Sequence, residues 1–298
     1  MLDNRKAPPL SAQTTTAGLA SGRDQGVREF DFSTTDFERV RKLIYQHAGI
    51  SLSPVKQDMV YSRLARRLRA TGKNTFAEYL DMLEKGGADE WERFVNSLTT
   101  NLTSFFREPH HFPIFADHLK KIGTKRPIRV WCSAASTGEE PYSIAITVLE
   151  TLGANASNVS IFASDLDTNV LATAQKGVYP VDRVEKMSPE RLKRFFLKGA
   201  GSQEGFVSVR PELKQLIQFQ RVNLLEANWP VRAPLDVIFC RNVMIYFDKP
   251  TQHKILSRFA PLMQPDGLMF AGHSESFLHA ADIFKSLGKT VYALTKAG

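Results

Sequence analysis

Apolar positions recur at helical spacing through the first third of the chain and gather into short runs further on, the change falling near residue 127. Thr35-Asp36-Phe37-Glu38 reads as a capping box and Gly49 as a stop, which predicts a first helix. Ser53-Pro54 opens a second helix that ends before Gly72. Thr75-Phe76-Ala77-Glu78 is another capping box, closed by Gly86-Gly87, and Trp91, Phe94, Val95, Leu98 and Leu102 continue the period. No strand pattern precedes residue 127, so residues 31–98 are expected to form an all-helical domain. Residues 1–30 are rich in Ser, Thr, Ala, Gly and Gln with almost no large apolar side chains, the composition of a disordered tail.

Beyond residue 127 the runs Ile128–Cys132, Val159–Ala163, Leu235–Cys240 and Gly267–Ala271 read as buried strands. Helical stretches at 141–152, 168–175 and 250–263 separate them, and Thr290–Leu294 is expected as a last strand at an edge. Strands alternating with helices predict an α/β fold with a doubly wound parallel sheet, whose ligand lies beyond the carboxyl ends of the strands. One segment breaks the alternation. Ser188-Pro189 opens a short helix, and Phe206–Arg210 and Leu216–Val222 then read as strands separated by Pro211, giving a small antiparallel β-insertion at about 186–222. The expected order is therefore a tail, a helical domain, a linker at 99–124, and a sheet domain at 125–298 carrying the insertion.

The length of 298 residues suits two domains of ~100–200 residues each. No run approaches the ~18 apolar residues of a membrane span, and the polar N-terminus lacks the apolar core of a secretory signal. The two cysteines, Cys132 and Cys240, make no disulfide framework and no zinc-spaced group, so a cytoplasmic protein is expected. Charge changes the picture once it is located. Nine basic and two acidic residues lie between Glu38 and Lys73, which accounts for nearly all of the net +8. Within that segment Lys56, Arg63, Arg66 and Arg67 share one side of a helix, beside an apolar row of Val60, Leu64 and Leu68. A solvated face would look the same, but a field this local points to an acidic partner for the helical domain rather than to nucleic acid for the whole chain.

Candidate chemistry sits at the predicted strand ends. The loop Ala134-Ala135-Ser136-Thr137-Gly138-Glu139-Glu140-Pro141 lets a ligand approach backbone N–H groups, yet its single glycine does not make a dinucleotide fingerprint. Its two acids would repel a pyrophosphate and suit a cationic ligand; an ordinary tight turn also fits. Asp165 stands where an acid hydrogen-bonds ribose hydroxyls, while Asp167 suits a helix N-cap. Together, the loop and Asp165 favour an adenosine-containing ligand. Arg241-Asn242 and Tyr246 follow the 235–240 strand, Asn223-Leu224 follow the 216–222 strand, and Arg107 lies in a polar-aromatic linker. His110 and His111 read as structural, with no third ligand at metal spacing, so no metal is expected.

The stretches LTTNLTSFFREPHHFPIF (98–115), AASTGEEPYSIAI (134–146), FASDLD (162–167), FCRNVMIYFDK (239–249) and GLMFAGHSES (267–276) resemble, in order and spacing, the chemotaxis receptor glutamate methyltransferase family, CheR. The resemblance covers about residues 35–295. It implies a class I S-adenosylmethionine-dependent methyltransferase domain behind an all-α N-terminal domain. The activity it implies is methyl transfer from S-adenosylmethionine to glutamate carboxylates of methyl-accepting chemoreceptors, with S-adenosylhomocysteine as product. Carried over position by position, it implies a cofactor site of Asn101, Thr103, Arg107, Glu140, Asp165, Asn223, Leu224, Arg241 and Asn242. Arg107 and Tyr246 match positions linked to catalysis, and Arg107 fits a clamp on either the cofactor or the acceptor carboxylate. The glycine-poor loop is normal in this family.

The basic face of Lys56, Arg63, Arg66 and Arg67 would then meet the receptor's helical bundle. Some members also dock on a receptor C-terminal pentapeptide through the β-insertion. The loop Lys198-Gly199-Ala200-Gly201-Ser202 is close to, but not identical with, the Arg-Gly-Thr-Gly expected of them. A monomer without nucleic-acid partner or membrane insertion is expected. Two rivals are a nucleic-acid methyltransferase and a sensor that binds the cofactor without catalysis. The charge is confined to the N-terminal helices, no Asn/Asp-Pro-Pro-Tyr/Phe tetrapeptide occurs, and Arg107 and Tyr246 are both present, which weighs against both.

Overall fold

A computed structural model describes residues 28–123 and 125–295. The expected tail falls almost wholly outside that range. Four helices come first: α1 (Thr34–Ala48), α2 (Gln57–Thr71), α3 (Phe76–Lys85) and α4 (Ala88–Leu98). The cap of α1 is Ser33, two residues earlier than the expected Thr35. Its hydroxyl accepts from the Asp36 N–H and its own N–H donates to the Asp36 carboxylate. Glu38, expected to close the box, instead takes Arg41 at 2.8 Å. Ser53-Pro54 opens a 3-10 turn that runs into α2, and Thr75 caps α3 as read. Val60, Leu64 and Leu68 are fully buried against Val40, Ile44, Phe76, Leu80 and Phe94, so the apolar row of α2 is the spine of this domain.

The second part begins with α5 (His111–Ile122), which lies inside the stretch read as linker. Phe112, Phe115, Leu119 and Ile122 give it one buried face, which packs on α6 (Glu139–Leu152). Then follow β1 (Ile128–Cys132), α6, β2 (Val159–Asp165), α7 (Thr168–Lys176), β3 (Val178–Pro180), α8 (Pro189–Phe195), β4 (Phe196–Lys198), β5 (Phe206–Val209), α9 (Pro211–Gln215) and β6 (Ile217–Arg221). The chain ends with β7 (Leu235–Cys240), α10 (Lys249–Phe259), β8 (Met263–Ala271), β9 (Phe284–Ser286) and β10 (Val291–Leu294).

The main sheet has the order β6-β2-β1-β7-β8-β10-β9. Its first five strands are parallel, and β10 runs antiparallel to both of its neighbours, β8 and β9. β1 and β7 are buried almost throughout, as continuous apolar runs in a two-sided sheet should be. The chain winds outward from β1 to β2 and β6, then returns to β7 and β8, so the order reverses between β1 and β7. That reversal leaves a crevice above their carboxyl ends.

Two sequence expectations need correction here. The strand read at 216–222 belongs to the main sheet, where it pairs in parallel with β2 from Ile161 to Asp165. Its Ile217 and Phe219 join the central core. The antiparallel insertion is instead the small sheet β3-β5-β4, which opens at Val178. The final strand is not the edge: β10 lies between β8 and β9. β9 is three residues long with one buried side chain, too short to show an alternation. No helix among the described residues is long and apolar enough to cross a membrane.

Candidate functional site

The crevice above β1 and β7 is a cleft of about 910 Å³ including its open mouth. Its floor is the loop from β1 to α6. Ser133 and Ala135 donate their N–H groups to Phe239 and Ser164 at 2.9 and 2.8 Å, so the loop is sewn to strands on either side. Gly138 has φ +101°, and a Cβ there would lie 2.6 Å from the Tyr179 hydroxyl and 2.9 Å from Ala174. That is why a glycine stands at this one position. Ser136 adopts φ +48°, which turns its N–H onto Asp165 at 2.8 Å.

The two acids after β2 divide as their spacing predicts. Asp167 caps α7, and its other oxygen accepts from Thr99 and Asn101, both at 2.8 Å. Asp165 faces the cleft, half-buried, holding the N–H groups of Ser136 and Asp167. Burial pushes its pKa up to about 6, against the pull of those two donors.

Glu140 also faces the cleft but is not a lone acid. Arg241, fully buried, meets it at 2.7 Å and reaches Glu108 at 3.3 Å and the Arg107 carbonyl at 2.5 Å. Burial raises Glu140 and Arg241 opposes that. Burial would raise Glu108 as well, but the His273 N–H and Arg241 outweigh it and hold that carboxyl low. Glu139, by contrast, turns away and pairs with Arg183.

Among the described residues, Glu108, His110 and His111 bring three potential ligand atoms within 4.8 Å of one another. Burial pushes His111 down to about 4, its Nε2 lies 2.9 Å from the Lys289 carbonyl, and Arg241 already supplies Glu108 with a cation.

Asn242 follows β7 in the left-handed region at φ +58°, its amide 3.4 Å from Glu108. Tyr246 ends a 3-10 turn, Met244–Tyr246, and donates its hydroxyl to the Thr100 carbonyl at 3.1 Å. Burial raises its pKa, so at neutral pH it is a phenol and a donor. Arg107 donates to the Leu102 carbonyl at 2.8 Å, closing the linker into a loop against the cleft, and Thr103 lines the same wall. Asn223 lines the cleft too, though its amide is committed to the His47 carbonyl and the Leu225 N–H. Leu224 lies beside it, buried. All nine expected cofactor-site residues and Tyr246 thus surround one cleft.

The helical domain completes the wall with Ala48, Ile50 and Leu98, which sequence reasoning did not single out. Ser51 donates to the Tyr246 carbonyl at 2.8 Å. A Cβ on Gly49, at φ +69°, would lie 2.6 Å from Leu225. Glu108, Ser136 and Glu275 were also missed. Each acts on backbone groups of another loop, which no spacing in the sequence reveals.

The basic face divides. Lys56 and Arg66 are exposed. Arg63 is turned inward onto the carbonyls of Ser97, Leu98 and Thr99 at the end of α4, and Arg67 makes a two-pronged pair with Glu90 at 3.0 and 2.7 Å.

The donor set fits an adenosyl amino acid. It offers a carboxylate at a strand end, apolar walls from Ile50, Leu166, Val222 and Phe247, and amide and hydroxyl groups from the linker.

Comparison with known proteins gives two family matches. The model described as CheR methyltransferase, all-alpha domain, matches residues 35–99, and that described as CheR methyltransferase, SAM binding domain, matches residues 101–293. Chemotaxis protein methyltransferase 2 of Pseudomonas aeruginosa is 52% identical over 269 residues, 90% of this chain and 96% of that protein. The chemotaxis protein methyltransferase of Salmonella typhimurium is 52% identical over 286 residues, 94% and 99% of the two chains. A solved methyltransferase domain of bacterial CtHen1-C overlaps 54% of this chain and 63% of its own at 10% identity, with a TM-score of 0.32, too slight a likeness to carry weight.

Proposed function

The chain belongs to the CheR family and is an S-adenosylmethionine-dependent chemotaxis protein methyltransferase, and from that premise we propose that it esterifies glutamate side chains of methyl-accepting chemoreceptors. The observation that carries the reading is the 52% identity over nearly the full length of relatives so named.

S-adenosylmethionine, when bound, supplies a methyl group on a sulfonium. In this reading Asp165 accepts from the ribose hydroxyls, and the apolar wall of Ile50, Leu166, Val222, Leu224 and Phe247 receives the adenine. Asn101, Thr103, Asn223 and Asn242 offer polar atoms along the cleft. The amino-acid end meets the Glu140–Arg241 pair, a balanced site for a zwitterion rather than a bare acid. An acceptor glutamate, with pKa ~4.3, is ionised at neutral pH and needs no general base. What it needs is alignment and a dry site, because opposite charges vanish as the methyl moves in line. Tyr246 as a donor and Arg107 as a fixed cation suit that alignment, with Arg107 gripping either the cofactor or the acceptor.

For the receptor, Lys56 and Arg66 present the exposed charge of α2. Leu197 and Phe206, exposed on the β-insertion, lie near the 198–202 loop proposed to take a receptor pentapeptide. Action in the cytoplasm, as a monomer and without nucleic acid or metal, is part of the same proposal. The test is transfer of radiolabelled methyl from S-adenosylmethionine to receptor-containing membranes, followed by base treatment. Label released as methanol is expected. Label that stays on protein after base, or that goes to added nucleic acid, overturns the reading.

A further inference from the structure

The loop after β8, Gly272-His273-Ser274-Glu275, meets the site at Glu108 and at Asn242 and lies at the centre of its hydrogen bonds. Glu275 is 5% exposed. One carboxylate oxygen accepts from the N–H groups of Asn242 at 2.9 Å and Gly272 at 2.5 Å. The other accepts from Met244 at 2.8 Å, and the Ile245 N–H adds to the same carboxylate. The N–H groups of Met244 and Ile245 are the donors that the three-residue 3-10 turn cannot satisfy for itself, while Asn242 leads into that turn and Gly272 belongs to the loop of Glu275.

The turn's carbonyls are held from the opposite side. Gln252, a buried residue of α10, donates its amide to the carbonyls of Met244 and Phe247 at 2.8 and 3.0 Å. The two loops are in intimate contact: a Cβ on Gly272 would lie 2.3 Å from the Asn242 amide nitrogen.

We propose that Glu275 and Gln252 are positioning residues. One grips the N–H groups and the other the carbonyls of the turn that carries Asn242 and Tyr246, and together they fix where both side chains meet cofactor and acceptor. The proposal rests on the functional reading above. A carboxylate is the side chain for the first task, because it accepts on both oxygens and carries nothing to repel a converging N–H. An amide is the side chain for the second, because its NH₂ can serve two carbonyls at once.

Two double-mutant cycles on the full chain test this. In the first, Glu275→Gln is measured for receptor methylation in the wild-type and Tyr246→Phe backgrounds. A loss of about tenfold or more in kcat is expected in the first background and less than about threefold in the second, because a residue acting through Tyr246 has little left to position. In the second cycle, calorimetric affinity for S-adenosylhomocysteine is measured for Glu275→Gln with and without Asn242→Ala, and the same suppression is expected. That cycle needs no receptor, so a wild type inert toward receptors sinks the functional reading while this cycle still decides the positioning.

Gln252→Met, which keeps the volume and removes the amide, runs the same cycles should Glu275→Gln fail to fold. Equal fold-losses in both backgrounds, or folded variants within about twofold of wild type, overturn the proposal.

Discussion

The Asp165 carboxyl holds two backbone N–H groups, yet the low-dielectric end of β2 keeps its pKa near 6. An ionised group is needed to accept from two hydroxyls, so cofactor affinity should be flat above pH ~7. On acidification through 6 it should fall, approaching tenfold per unit well below that value. The ligand-free fold has the opposite sign. Because the native group binds its proton more tightly than the unfolded one, with its ordinary value of 3.8, Asp165 contributes less to stability as pH rises from about 4 to 6. Calorimetric titration of S-adenosylhomocysteine across pH 5–8 checks the first statement, with Asp165→Asn expected to flatten the profile. Asp165→Ala should weaken binding by about 1–3 kcal/mol, the usual cost of stranding polar partners. Tyr246→Phe should leave fold and cofactor affinity intact but lower turnover at saturating receptor, since its loss is one hydroxyl directed at Thr100 and the cleft mouth. Unchanged turnover would assign that hydroxyl to packing alone.

Among the elements, α2 carries the clearest division of labour. Arg63 places a cation on the carbonyl end of α4, and Arg67 pairs with a half-buried Glu90. Reversing either should lower the melting temperature. Lys56 and Arg66 carry no such duty in the geometry above. Lys56→Glu with Arg66→Glu should leave the melting temperature within about 2 °C, raise the KM for receptor several-fold at low salt, and lose that effect as salt screens it. A KM equal to wild type at low salt would make α2 a merely solvated face.

The same helix shows what a sequence reveals. Its apolar row at Val60, Leu64 and Leu68 was legible because one face of a helix must be buried. Which arginines turn inward was not, because that depends on where α4 ends in space. The core strands β1, β2 and β7 were legible as apolar runs. β6 was read as a strand but put in the wrong sheet, since Ile217 and Phe219 look alike in either. α5 was lost inside a supposed linker although Phe112, Phe115 and Leu119 keep helical spacing. That Asp165, Asn242 and Tyr246 line the cleft was legible because polar residues at strand ends face the crevice. The part of Glu275 was not, because its partners are backbone N–H groups.

Across the whole molecule the cleft is a seam. Thr99 and Asn101 hold Asp167, Asn223 holds His47, Ser51 holds Tyr246, and Tyr45 reaches Asp248 at 2.8 Å. Gly49 packs against Leu225 at this seam. Gly49→Ala forces a side chain into a left-handed residue and against Leu225, so both the melting temperature and cofactor affinity should drop together. A loss of stability with affinity unchanged would show that the seam does not shape the site.

The left-handed residues have a consequence for anyone who evolves this enzyme. Phe106, Glu108, Ser136 and Asn242 all bend the backbone unfavourably, and all four belong to the linker and strand-end loops around the cleft. At Phe106 and Glu108 glycine would also remove a ring packed on Phe112 and a partner of the buried Arg241, a larger loss. Selection for heat resistance alone should therefore drift toward glycine only at Ser136, where it relaxes the chain by about 1 kcal/mol, and more weakly at Asn242, since Asn tolerates this region. In the proposed reading, either exchange deletes a side chain or loosens a loop that shapes the cofactor cleft. Thermostable lineages picked without an activity screen should therefore arrive as well-folded, slow catalysts, their losses concentrated at these positions rather than scattered through the core.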